Sequence, residues 1–140
     1  MMKKVFILSM LTVISASIVS CKDNDDYPQI QAVFATKIDS VKIPMDTMVL
    51  GVTQDFKVYS TFTRTCEGIY SYDYQYTNDS VRTIANFGYK TNEACSDGTY
   101  VDSSRISFKP TKTGNYTFKF FTGKDAAGTS TFLEKKVVVE

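Results

Sequence analysis

Apolar side chains recur at every second position through most of the chain, and this alternation limits the fold more than any other feature. Phe56, Val58 and Phe62 alternate with polar residues, and so do the four tyrosines of segment 70–76. From residue 30 onward, no window of helical length carries apolar residues at the i, i+3 and i+4 spacing. Because a period of two places alternate side chains on opposite faces of a strand, we predict an all-β domain.

The same alternation marks further strands. The runs are Val81, Thr83, Ala85, Phe87 and Tyr89 on one face, then Ile106 and Phe108, then Tyr116, Phe118 and Phe120, then Val137 and Val139. Ile38, Val41 and Ile43 mark an opening edge strand that Pro44 ends. Turn-forming residues separate the runs at 77–79, 96–98, 112–115 and 123–130. About seven short strands at this spacing predict a two-sheet sandwich.

A motif near the end of the chain narrows the fold further. Gly114-Asn115-Tyr116 opens the penultimate predicted strand, and a valine-rich segment closes the chain. The span 106–139 thereby resembles the end of bacterial immunoglobulin-like and PKD-type domains, in which glycine relieves a turn and the tyrosine hydroxyl can bond a backbone group. The resemblance implies a single immunoglobulin-like antiparallel β-sandwich of about seven strands, over residues 32–140.

The first residues have the layout of a secretory signal: Lys3 and Lys4 precede an apolar stretch. That stretch is shorter than the roughly 20 apolar residues that a membrane-spanning helix needs. Ile18-Val19-Ser20-Cys21 resembles the lipobox of bacterial lipoproteins, which implies cleavage before Cys21 and lipidation of its thiol. We therefore expect a signal peptide over 1–20. An ordinary signal peptide with an incidental cysteine is the alternative.

The residues after Cys21 are polar and acidic, with aspartates at 23, 25 and 26, and they predict a flexible tether over 21–31. They resemble the acidic export signal of surface lipoproteins in Bacteroidota. This resemblance implies a lipid-anchored protein of the outer membrane that is exposed at the cell surface. Plain solvation of a tether is the alternative interpretation.

Removal of Cys21 into the anchor leaves Cys66 and Cys95, an even pair in an oxidising compartment, and we predict that they form a disulfide. The bond should join the segment after the Phe62 strand to the loop that follows Thr91. Closing a loop of about 30 residues stabilises the folded state by about 3.5 kcal/mol. A metal or redox pair is the alternative, although the chain has no histidine and no Cys-x-x-Cys.

The absence of histidine removes the usual general base, and no spacing of carboxylates predicts a paired catalytic site. We therefore predict a protein that is not an enzyme and that uses no cofactor or metal. A calcium site would need the oxygen ligands of Asn92, Glu93, Asp97 and Asp102, but the sequence lacks a regular calcium-binding loop. With 16 basic and 15 acidic residues, the charge gives no case for a nucleic-acid partner.

Four tyrosines are the most informative candidates for a binding site. Tyr70, Tyr72, Tyr74 and Tyr76 would all project from one face of one strand. They form either a core face whose hydroxyls reach the domain edge, or an exposed aromatic platform for a sugar or a protein.

Three further positions resemble the Asp-Ser/Thr-apolar acceptor for O-glycosylation in exported Bacteroidota proteins. They are Ser40, Thr47 and Ser80.

We expect a non-enzymatic surface lipoprotein that acts as a binding or accessory module. The membrane would be its partner through the lipid anchor, and a glycan or an envelope protein its ligand. Two more specific alternatives are a carbohydrate-binding lipoprotein of a glycan-uptake system, using the tyrosines, and a small envelope inhibitor or assembly protein that docks by an edge strand or loop. The sequence leaves the oligomeric state open.

Overall fold

The computed structural model describes residues 27–140, which fold into two packed β-sheets without a helix. The predicted signal peptide, Cys21 and most of the predicted tether lie outside these residues. Nine strands follow one another along the chain: β1 (Ile30–Thr36), β2 (Ser40–Lys42), β3 (Thr47–Met48), β4 (Gln54–Arg64), β5 (Glu67–Tyr76), β6 (Val81–Thr91), β7 (Asp97–Phe108), β8 (Gly114–Lys124) and β9 (Ser130–Val139). The predicted all-β sandwich is confirmed.

The larger sheet is built around β6. One edge of β6 pairs with β5 along its length, and β1 and β8 share the other edge. Beyond β8 come β9 and then β3, whereas the smaller sheet has the order β2–β4–β7. All pairings are antiparallel except those of β6 with β8 and of β3 with β9. Consequently β5 and β7 are edge strands, one in each sheet.

The core is aromatic and lies between the sheets. Phe56 and Val58 of β4 are fully buried and Phe62 nearly so, as their alternation predicts. The Phe56 and Phe118 rings meet edge to face with centroids 4.7 Å apart, which is a favoured geometry for aromatic pairs. Since burial of each such side chain contributes about 1.5–3 kcal/mol, this cluster is the main source of apolar stabilisation.

The more polar of the two faces of β6 is the one that points into the core. Arg82, Ile84 and Asn86 are buried, whereas the face with Val81 and Phe87 points outward and is half-buried. Gly88 lies on the buried face, where a Cβ atom would be only 2.9 Å from the Phe34 ring. A side chain at 88 would therefore collide with the core.

The chain opens with two short strands where the sequence predicts one. β1 lies in the larger sheet and begins at Ile30, two residues before the predicted domain boundary. The chain then crosses to the smaller sheet at the buried Ile38, whose amide donates to the Phe121 carbonyl at 2.8 Å. β2 follows as the expected edge strand. Because β1 is mostly exposed, its sequence lacks the alternation of a half-buried strand.

The predicted disulfide is present. Cys66, in the turn between β4 and β5, is bonded to Cys95, in the loop between β6 and β7, with Cα atoms 5.0 Å apart. That loop is shorter than predicted, because β6 continues to Thr91 and β7 already begins at Asp97. The turn expected at 96–98 is therefore wrong, and most of it belongs to β7.

The corner before β8 has the geometry that the Gly-x-Tyr motif implies. The Tyr116 hydroxyl donates a hydrogen bond to the Lys112 carbonyl at 2.9 Å. Gly114 has a φ of +127°, a backbone conformation that residues with a Cβ atom rarely adopt. The motif thus fixes where the chain turns into the penultimate strand.

Candidate functional site

The four tyrosines of β5 do not share one face, because a β-bulge interrupts the strand at Tyr70. Residues on either side of Tyr70 pair with consecutive residues of β6, so Tyr70 itself has no partner in the register. Past the bulge, Tyr72 lies opposite Asn86, Tyr74 opposite Ile84, and Tyr76 opposite Arg82. Directly opposite residues share a face, so three tyrosines point to the inner side of the larger sheet.

These three rings lie at the edge of the sandwich, where the smaller sheet covers them incompletely. Tyr72 is 40% exposed and Tyr76 73% exposed, while Tyr74 is half-buried. A core face would bury all three. The tyrosines instead form one wall of a groove of about 350 Å³ whose other wall is the end of β7 and the segment after it. We name this the tyrosine groove; it is lined by Tyr72, Tyr74, Tyr76, Ile106, Ser107, Phe108 and Lys109.

The buried Arg82 side chain contacts Tyr76, one of the tyrosines that line the groove. Its guanidinium carbon lies 4.3 Å from the centroid of the Tyr76 ring and 5.4 Å from that of Tyr116. The same guanidinium donates to the carbonyls of Asn78 at 2.6 Å and Asp79 at 3.1 Å. A buried cation thus ties the β5–β6 turn to two aromatic rings and fixes the position of Tyr76.

Tyr74 stays protonated across the physiological range. Burial raises the pKa of its hydroxyl from 10.0 to about 12, although the positive charge of Arg82 acts in the opposite direction. The hydroxyl therefore keeps its proton and can donate a hydrogen bond inside the groove.

Two residues of β7 close the free edge of β5 at the disulfide end. The Ile69 amide donates to a carboxylate oxygen of Asp102 at 3.0 Å, and the Tyr100 hydroxyl donates to the Glu67 carbonyl. Burial raises the pKa of the Tyr100 hydroxyl, and the negative charge of Asp102 adds to this effect. Both contacts bridge the two sheets and use backbone groups that an added strand would need.

The remaining predicted site residues lie apart from the groove. Ser40, Thr47 and Ser80 are exposed, and the Ser80 hydroxyl donates to the Asn78 side chain at 3.2 Å. Asp102, one of the four calcium candidates, is held by the amide contact at Ile69. Within residues 27–140, no group of three or more cysteine, aspartate or glutamate side chains could hold a metal ion.

A second groove, which the sequence does not reveal, lies on the opposite edge of the sandwich. It has a volume of about 560 Å³ between β2, β4 and β9. We name it the lysine groove, since four lysines line it with two aspartates and three apolar residues: Lys42, Lys57, Lys135, Lys136, Asp46, Asp55, Val41, Ile43 and Pro44. In the sequence, only the lysines at 135 and 136 are neighbours. Strand pairing brings the other two lysines to the groove, so the sequence does not predict it.

No protein-family model matches the chain, and neither the curated proteins nor the solved structures include one with significant similarity to it. Between residues 27 and 140, the structure holds no helix that is long and apolar enough to cross a membrane.

Proposed function

We propose that this protein is a non-enzymatic surface lipoprotein of the outer membrane that binds a glycan chain in the tyrosine groove. The observation that carries the proposal is the exposure of Tyr72 and Tyr76 at an open edge between the two sheets. An aromatic ring offers an apolar face to the C–H groups of a sugar ring, while its hydroxyl bonds to sugar hydroxyls.

The tyrosines of the groove lie on a rigid part of the fold, which favours binding. Its tyrosines stand on a strand that pairs along β6, and Arg82 holds Tyr76 from behind. Tyr74 packs edge to face against Tyr76 with centroids 5.4 Å apart. A wall that is ordered before binding loses little conformational entropy when the ligand arrives, which raises affinity for a given contact area.

The direction of the chain favours a groove that lies away from the anchor. The described chain enters at the disulfide end, where Ile30 lies opposite Thr91 and the Asn92 amide donates to the Gln29 carbonyl. Tyr76 lies at the other end of β5, about 30 Å away for a strand of this length. With Cys21 in the membrane, the tyrosines would lie at the end of β5 that is far from the point where the chain leaves the anchor.

Alanine substitutions in the groove test the proposal. We expect Tyr72→Ala and Tyr76→Ala each to weaken glycan binding about tenfold, because each removes one stacking surface. Phe132→Ala is the matched control, since Phe132 is 39% exposed on β9, outside the groove. The measurement is binding to a glycan array followed by titration of the best ligand. Equal binding by all four proteins, or binding by none, contradicts the proposal.

One other observation favours a protein partner as a second candidate. An apolar turn between β3 and β4 exposes Val49, Leu50 and Val52 by 60%, 44% and 50%, and Met45 nearby by 55%. Exposed apolar clusters of this kind mark interaction sites. If crosslinking in cells recovers an envelope protein that Leu50→Asp releases while no glycan binds, this second function replaces the first.

A further inference from the structure

Three cations stand side by side across the outer face of the smaller sheet. Lys42 of β2 lies directly opposite Lys57 of β4, and Lys57 lies directly opposite Arg105 of β7. All three are exposed, and neighbouring strands are about 4.8 Å apart, so three positive charges fall within roughly 10 Å. Like charges that face each other across strands destabilise a sheet. We name this feature the cation row.

Within residues 27–140, no carboxylate forms an ion pair with a cation of the row. The ion pairs found within residues 27–140 involve Lys37, Arg64, Lys112 and Lys119 instead. The amines of Lys42 and Lys57 lie 5.7 Å and 5.3 Å from the centroid of the same Tyr59 ring. This ring holds both amines over one surface without cancelling their charge, which leaves the row free to attract an anion.

The cation row continues into the lysine groove. Lys42 and Lys57 line that groove together with Lys135 and Lys136 of β9. Of its two aspartates, Asp55 accepts a hydrogen bond from the Ser107 hydroxyl at 2.6 Å. The lysine groove thus holds four positive and two negative side chains, so a net positive charge continues from β7 across β4 and β2 to β9.

The tyrosine groove and the lysine groove lie at opposite edges of the smaller sheet, and one hydrogen bond across its outer face connects their linings. Ser107 lines the tyrosine groove, and its hydrogen-bond partner Asp55 lines the lysine groove. Lys109 adds one more cation within the tyrosine groove itself. A single extended ligand can thus contact aromatic rings at one end and several cations along the remainder.

We propose that the ligand is an anionic glycan, whose sugar rings stack in the tyrosine groove while its carboxylate or sulfate groups contact the cation row and the lysine groove. This inference rests on the proposed function and specifies its ligand class. Charge complementarity selects the anion, and the tyrosine wall selects sugar rings. An added peptide strand fits less well, because Asp102 and Tyr100 already occupy edge groups of β5.

The test compares two ligands with the same sugar backbone, one with ionised carboxylates and one with uncharged methyl esters. Oligogalacturonate and its fully methyl-esterified form have the same sugar backbone, and calorimetry measures the affinity of the folded domain for each. We expect the acidic form to bind about tenfold more tightly at low salt, with the difference shrinking as salt rises. In the triple variant Lys42→Gln, Lys57→Gln, Arg105→Gln, the preference should disappear while the neutral form binds unchanged.

The controls separate charge placement from net charge and from misfolding. A second triple variant, Lys90→Gln, Lys119→Gln, Lys124→Gln, loses the same charge on the larger sheet and should keep the preference. Lys42→Arg, Lys57→Arg, Arg105→Lys retains the row and should also keep it.

Three outcomes would overturn the inference, and they can be told apart. If both ligands bind equally and Tyr72→Ala weakens both, the glycan function stands but the anionic ligand class is wrong. If neither ligand binds, the inference is wrong, and if the glycan array shows no binding either, the proposed function fails with it. If a thymidine oligonucleotide or polyglutamate binds as tightly as oligogalacturonate, the surface recognises charge alone and the assignment to glycans is wrong.

Discussion

Single side chains fix the corner on which the late part of the fold depends. The Tyr116 hydroxyl reaches back four residues to a carbonyl, and its ring packs against Phe108 with centroids 5.3 Å apart. The ring belongs to the core, whereas the hydroxyl serves only the turn. The contribution of the hydroxyl can therefore be separated from that of the ring by removing one oxygen atom.

We expect Tyr116→Phe to lower the free energy of unfolding by about 1 kcal/mol, the usual net contribution of one hydrogen bond. The ring and its packing are retained, so no cavity adds to the cost. The measurement is urea unfolding, with Tyr76→Phe as the control because the Tyr76 side chain is largely exposed. An unchanged midpoint for Tyr116→Phe would mean that the corner bond is not a stabilising contact.

At the scale of strands, the sequence predicts what is local and misses what depends on pairing. Alternation identifies β4 and β8, because each buries every second residue against one core. The bulge at Tyr70 cannot be predicted from the sequence, because tyrosines alternate with other residues on both sides of it. Only the pairing of β5 with β6 shows that Tyr70 is an extra residue. The cation row is equally hidden, because its residues are separated by 15 and 48 positions along the chain and meet only through strand register.

The tyrosine wall illustrates the same limit. Its strand and its composition follow from the sequence, which leaves a core face and a binding surface open as alternatives. Its exposure does not follow, because Tyr72 and Tyr76 point to the inner side of their sheet and escape burial only at an edge. Edge positions result from the order of strands, and alternation carries no information on that order.

The disulfide connects the β4–β5 turn to the β6–β7 loop, two segments that otherwise contact each other mainly through hydrogen bonds. The Thr65 amide, for example, donates to the Ser96 carbonyl at 3.0 Å. The bond therefore stabilises the beginning of β5, the strand that carries the tyrosines, and lies outside the tyrosine groove.

We expect the double variant Cys66→Ser, Cys95→Ser to lose about 2–5 kcal/mol of folding free energy, as is usual for a native bond in a small domain. Ligand binding by the fraction that remains folded should be unchanged, since the tyrosine groove contains neither cysteine. Thermal unfolding with and without a reductant gives the first quantity, and calorimetry at low temperature gives the second. A wild type whose melting is insensitive to reduction would contradict the stabilising role.

At the scale of the whole molecule, the described residues 27–140 place the entry of the chain and the tyrosine groove at opposite ends of the sandwich. Ile30 and the disulfide lie at one end, while Tyr76, Lys109 and the apolar turn at 49–52 lie at the other. A lipid anchor at the first end would leave both grooves at a distance from the point of attachment. This arrangement suits a module that meets large extracellular ligands, which cannot approach a surface pressed against lipid.

The anchor is tested by Cys21→Ala in intact cells. We expect the wild type to sediment with the outer membrane and to be removed by external protease, because several acyl chains hold it at about 0.8 kcal/mol per buried methylene. The variant should lose membrane attachment, since it lacks the thiol that would carry the lipid. Immunoblots of membrane, soluble and medium fractions measure both effects. An anchored wild type that resists external protease would place the grooves in the periplasm, where envelope polymers and not extracellular glycans are the ligands to test.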